Sequence, residues 1–122
     1  MSHRSRLYSV LVDVGAESYE SAARFWGGAL GRDPNFHPDG RYCGLKGEIP
    51  VLVQNVEPGR EGMHVDIETD DVEAEVARLE KLGARRRNKA KDWWVMVAPG
   101  GHPFCVIPAG SPSWPKGATE WP

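Results

Sequence analysis

Val12–Trp26 reads VDVGAESYESAARFW, and Val65–Leu79 reads VDIETDDVEAEVARL. Laid over each other at an offset of 53, the two stretches put Val12-Asp13-Val14 on Val65-Asp66-Ile67, Ser18 on Asp71, Glu20 on Glu73, Ala23 on Val76 and Trp26 on Leu79 without a gap. The match continues outward. Leu30-Gly31 falls on Leu82-Gly83 after one residue is dropped, and Gly47 and Pro50 fall on Gly100 and Pro103. One unit is therefore used twice within 122 residues. That length holds one domain with a core, and each half alone is too small to bury its apolar face.

Within each copy the period of the apolar residues changes from two to between three and four. Val10, Val12 and Val14 alternate with Leu11 and Asp13, the pattern of a half-buried strand over Arg6 to Val14. Tyr19, Ala22, Ala23, Trp26 and Leu30 then recur at helical spacing, with Ser18 as the expected cap and Gly31 as the stop. Prolines, Asn and Gly from Asp33 to Gly40 mark a loop, and short strands are expected at Arg41–Leu45 and Val51–Val56. In the second copy Met63, Val65 and Ile67 alternate with His64, Asp66 and Glu68. Asp70 or Asp71 caps the next helix, Asp70 having the spacing of a capping box with Glu73, and Val72, Val76 and Leu79 supply its stripe before Gly83 ends it. Strands follow at Ala84–Asn88, Trp93–Ala98 and Phe104–Pro108.

The expected fold is α+β: two tandem βαβββ units, at about 6–56 and 62–108, forming one cup-shaped mixed sheet with helices on its outer face. Residues 1–110 make this domain, and the Pro- and Trp-rich stretch 111–122 is read as an extended tail that Trp114 or Trp121 pins to the body or to a neighbour. On the alternation, Leu11, Asp13, His64 and Asp66 point into the cup. Trp93 and Trp94 must point oppositely, so one ring faces the cup, and Trp94 is taken as the ligand platform.

Fifteen basic and seventeen acidic residues give a net charge of −2, which supplies no general attraction to nucleic acid or an anionic membrane. Arg85-Arg86-Arg87 with Lys89 and Lys91 reads as a solvated strand face. No apolar run has the length of a membrane span and the N-terminus lacks a signal-peptide core, so a cytoplasmic location is the default reading. Cys43 and Cys105 are read as buried thiols.

The duplicated unit, with Phe25-Trp26 in its first helix, Leu30-Gly31 at the helix end and Pro99-Gly100-Gly101-His102-Pro103-Phe104-Cys105 near the C-terminus, resembles the vicinal oxygen chelate superfamily. This group includes glyoxalase I, extradiol dioxygenases, and bleomycin- and fosfomycin-resistance proteins. His64-Val65-Asp66-Ile67 with Asp70-Asp71 and Phe104-Cys105-Val106 looks like its glyoxalase-like branch. The resemblance implies metal ligands on the first and last strand of each unit, and the repeat puts those positions at Leu11, Leu52, His64 and Cys105. Two leucines cannot coordinate a cation, so no catalytic metal is expected; recruitment of Asp13, Asp66 or Gln54 to a divalent ion is the alternative. Dimers are common in the superfamily, and a homodimer is the expected assembly.

Three functional readings follow from these residues. In the first, the cup binds an organic small molecule through Asp13, Gln54, His64, Trp94 and Cys105, for sequestration or recognition. In the second, His64 is a general base assisted by Asp66 in lyase, isomerase or hydrolase chemistry, with or without a divalent ion. In the third, the tail makes the chain a protein-interaction module.

Overall fold

The computed structural model describes residues 2–122. Its elements run β1 (His3–Val14), α1 (Tyr19–Leu30), β2 (Asn35–Phe36), β3 (Tyr42–Leu45), β4 (Val51–Asn55), β5 (Gly62–Thr69), α2 (Val72–Lys81), β6 (Arg85–Ala90), β7 (Trp93–Val97), β8 (Pro103–Pro108) and β9 (Thr119–Trp121). The fold is α+β, with parallel and antiparallel strand pairs and two helices. Two compact bodies contain these elements: Ser9–His64, and residues 2–8 with Val65–Pro122. The bodies differ from the expected 6–56 and 62–108 because β1 begins three residues earlier and its first half packs with the C-terminal residues.

In the Ser9–His64 body the strand order is β2-β3-β4-β1. The second half of β1 runs parallel to β4, pairing Leu11 with Leu52, Val12 with Val53 and Asp13 with Gln54, while β3 pairs antiparallel to β4. Val12, Ala23, Cys43, Leu45 and Val53 form the core, and Tyr19, Ala22 and Trp26 of α1 pack against it. The alternating valines therefore take the helix, as their periodicity requires. Burial holds the Cys43 thiol above its ordinary pKa. Gly31 ends α1 at φ 68°, a left-handed conformation that glycine adopts without a Cβ clash, and Arg32 N–H bonds the Gly27 carbonyl. Ser18 does stand at the N-cap, but its side chain makes no capping bond. The expected loop from Asp33 to Gly40 contains a two-residue strand, Asn35–Phe36, paired to β3.

In the other body β5 runs parallel to β8, β7 is antiparallel to both β8 and β6, and β9 is antiparallel to His3–Ser5. Val76, Leu79, Met96, Phe104 and Val106 form its core, with Val65 and Ile67 against them. Asp71 caps α2 by accepting from Ala74 N–H at 3.1 Å. The capping box does not form: the Asp70 carboxylate instead accepts from the Arg4 backbone and guanidinium, and Glu73 accepts from the Trp94 indole. Asp70 is held below its ordinary pKa chiefly by the Arg4 backbone N–H.

The C-terminal stretch is more ordered than an extended tail. Arg6 reaches the Ser113 and Lys116 carbonyls and the Ser111 and Ser113 hydroxyls, while also bonding the buried Glu68 carboxylate. Glu68 in turn accepts from the Gly110 and Ser111 backbone. Burial alone would raise the Glu68 pKa, and the Ser111, Arg6 and Gly110 bonds together bring it below the ordinary value. Residues 119–121 then close a short strand, with the Trp121 indole donating to Ser5 at 2.9 Å and the Arg78 guanidinium lying 3.8 Å from its ring centre. Among the described residues no helix is long and apolar enough to cross a membrane, and both cysteines are thiols.

Candidate functional site

The strand face opposite the Val12–Val53 core carries the polar residues that can do chemistry. Asp13, from the end of β1, meets His64, at the start of β5, within the Ser9–His64 body. Asp13 Oδ2 lies 2.6 Å from His64 Nδ1, and the two side chains are only 10% and 14% exposed. At that distance Nδ1 carries the proton and donates it, so the carboxylate fixes both the ring orientation and the tautomer. The second oxygen, Asp13 Oδ1, is fully buried and meets no hydrogen-bond donor among the described residues. Gln54 stands beside Asp13 in register on β4 and is half-buried. The sequence reading put Asp13 and His64 on one face, and the structure joins them as a hydrogen-bonded pair.

The remaining expected site residues belong to the other body. Asp66 and Cys105 are register neighbours on β5 and β8, both half-buried, on the face away from the Val65, Ile67, Phe104 and Val106 core. Trp94 requires a correction. It faces α2, packs against the Val76–Met96 core and donates its indole N–H to Glu73 at 3.0 Å, with Arg86 stacked 4.9 Å from its ring centre. The β7 alternation is thus set by Met96 and Trp94 facing the helix, and Trp93 is the ring on the other side. Sequence alone could not choose between two adjacent tryptophans.

Two buried carboxylates escaped the sequence reading. Glu75 is fully buried and accepts from His3 Nε2 at 2.7 Å and from Arg78 at 2.8 Å through both Nε and Nη2. Its position three residues after Val72 and one before Val76, inside the apolar stripe of α2, was the available signal. Glu68 is the second, buried on β5.

Two of the positions at which the superfamily resemblance implies metal ligands, Leu11 and Leu52, carry side chains that cannot coordinate a cation. These two leucines are paired in register, with Leu11 buried. The His64 imidazole has its Nδ1 engaged by Asp13.

Comparison with known proteins agrees with the geometry. A family model described as a glyoxalase-like domain matches residues 9–107. No curated protein matches the chain. Among solved structures, a glyoxalase/bleomycin resistance protein/dioxygenase superfamily member from Vibrio splendidus 12B01 superposes with a TM-score of 0.61 at 14% identity, covering 86% of this chain and 99% of that one. A chain described as an NAD-dependent benzaldehyde dehydrogenase from Legionella pneumophila gives 0.61 at 12% identity, over 83% and 99% of the two chains. A protein from Methanosarcina mazei gives 0.53 at 10%, over 86% and 94%. At these identities the likeness is one of fold. The family match spans most of the sequence, and the chain belongs to the glyoxalase-like domain family.

Proposed function

We propose that this protein binds a polar organic small molecule through the Asp13–His64 pair and Gln54, for sequestration or recognition, without a catalytic metal. The observation that carries the reading is the buried Asp13 Oδ1, an acceptor with no protein donor, beside an oriented imidazole. Leaving a buried carboxylate oxygen unsatisfied costs free energy that a bound N–H or O–H donor restores. The ligand is therefore a molecule presenting such a donor, an amide, amine or hydroxyl compound.

A second reading is favoured by the same 2.6 Å contact. A carboxylate-oriented imidazole is the arrangement that makes histidine a general base, so His64 would remove a proton from a bound metabolite with Asp13, rather than Asp66, positioning it.

The test is a nuclear magnetic resonance screen of amide, amine and hydroxyl fragments against the full chain, with elemental mass spectrometry of the gently purified protein. Binding that moves the Asp13, Gln54 and His64 resonances and weakens at least about tenfold in Asp13→Asn supports the proposal, because the amide offers a donor where the ligand needs an acceptor. Stoichiometric metal that is lost in His64→Ala overturns it. Turnover of a fragment, abolished in His64→Ala with the fold intact, selects the second reading.

A further inference from the structure

The body formed by residues 2–8 and Val65–Pro122 contains an apolar cavity of about 310 Å³, between the C-terminal end of α2 and the β7–β8 turn. Phe104, Leu79, Leu82, Ala84 and Ala98 line it, with His102 the one side chain there that carries a hydrogen-bonding group. Phe104 is 7% exposed and Leu82 67%, so the cavity reaches the core and opens to solvent.

The repeat supplies an internal control for this space. In the Ser9–His64 body the position matching Leu79 is Trp26, whose indole packs against the core. The position matching Ala84, directly after the glycine that ends the helix, is Arg32. The Arg32 guanidinium lies between the end of α1 and the β3–β4 turn, donating to the Leu45 and Ile49 carbonyls at 3.2 and 3.0 Å. It sits so close to Gly47 that a Cβ there would fall 2.2 Å from it. One copy thus packs an indole against its core and sets a guanidinium between helix end and turn. The other replaces both with smaller side chains. Its turn carbonyls need no external donor, since Ala98 O and His102 O already accept from backbone N–H groups of Gly101 and Ala98.

We propose that this cavity is a second binding site, distinct from the Asp13–His64 pair, for a flat mono- or bicyclic aromatic molecule with one polar substituent. The ring takes the place that the Trp26 indole holds in the other copy, against Phe104 and Leu79. The substituent meets His102 at the mouth. Pockets lined almost wholly by apolar groups, with a single polar group to orient the ligand, bind small organic molecules of this kind, and an apolar cavity that water cannot satisfy accepts aromatic guests.

Indole, titrated into the isotope-labelled full chain and followed by amide resonances, tests the proposal. For a ligand of this size the expected Kd is about 0.1–1 mM, with shifts at Leu82, Ala84 and Ala98. Leu79→Trp and Ala84→Arg each restore the residue of the filled copy, and each should weaken binding at least about tenfold. Ala84→Arg acts at the rim, so it keeps the test open if Leu79→Trp disturbs the core. Absence of shifts up to the solubility of indole overturns the inference, as do shifts that both folded variants leave unchanged. Shifts confined to Asp13, Gln54 and His64 overturn it while leaving the proposed function standing. Concentration-dependent self-association that occupies Leu82 and Ala84 in place of indole overturns it in favour of a second copy of the chain.

Discussion

Replacing Glu75 by Gln should cost about 2–4 kcal/mol of unfolding free energy at about pH 7. The wild-type carboxylate is fully buried and accepts three charge-assisted hydrogen bonds, one from His3 and two from Arg78, at 2.7 to 2.8 Å. Each such bond contributes about 1.5–3 kcal/mol. The amide retains one acceptor oxygen but turns an NH2 group toward one of the donors, so one to two of the bonds are lost. The Arg78 side chain is 24% exposed and water compensates it in part, which holds the estimate below the about 3–5 kcal/mol typical of breaking a fully buried pair. Against a total of about 6–18 kcal/mol for a chain of this length, the loss is large. Urea unfolding monitored by tryptophan fluorescence measures it.

The pH dependence provides a second readout. Burial acts to raise the Glu75 pKa, and the bonds from Arg78, His3 and Ser5 together bring it below the ordinary value of 4.5. A depressed carboxylate contributes stability that is complete above 4.5 and is lost as pH falls through the lower folded value. The deficit of the variant should therefore shrink toward zero in acid. A deficit under about 1 kcal/mol at about pH 7, or one constant down to about pH 3, would refute the reasoning.

Two further pairs of substitutions test the local structure. Gly27→Ala should destabilise by about 1–3 kcal/mol, because its Cβ would meet the Arg32 carbonyl at 2.8 Å and the Pro34 ring at 3.0 Å. Gly28→Ala, one residue on in the same helix and with open space around it, should stabilise by about 0.5–1 kcal/mol; thermal unfolding of the two variants should move in opposite directions. Asp71→Ala should cost about 1 kcal/mol by removing the bond to Ala74 N–H, whereas Ser18→Ala should leave stability within about 0.5 kcal/mol, since that side chain caps nothing. Equal losses in both cap variants, measured by denaturant unfolding, would contradict the capping geometry.

The repeat of Val12–Trp26 at Val65–Leu79 determined by itself the order of the elements other than β2 and β9, because a change of apolar period from two to helical spacing is a local property of the chain. The same alternation separated Val12 and Val65, which take the helices, from Asp13 and His64, which do not. That Leu11 and Leu52 cannot coordinate a cation was equally legible, since no fold changes the chemistry of an aliphatic side chain. Tertiary structure decided everything that depends on partners distant in sequence. It joined Asp13 to His64 across 51 residues and left the other oxygen of Asp13 without a protein donor. It turned Trp94 rather than Trp93 toward α2, and it drew Glu73 away from its capping role to the Trp94 indole. It also buried Glu68 and Glu75 by supplying Arg6 and His3 from elsewhere in the chain beside the helix neighbour Arg78, and it used the two arginines to hold the C-terminal residues. Periodicity records which face a side chain takes; which donor waits on that face is fixed only when distant strands are brought into register.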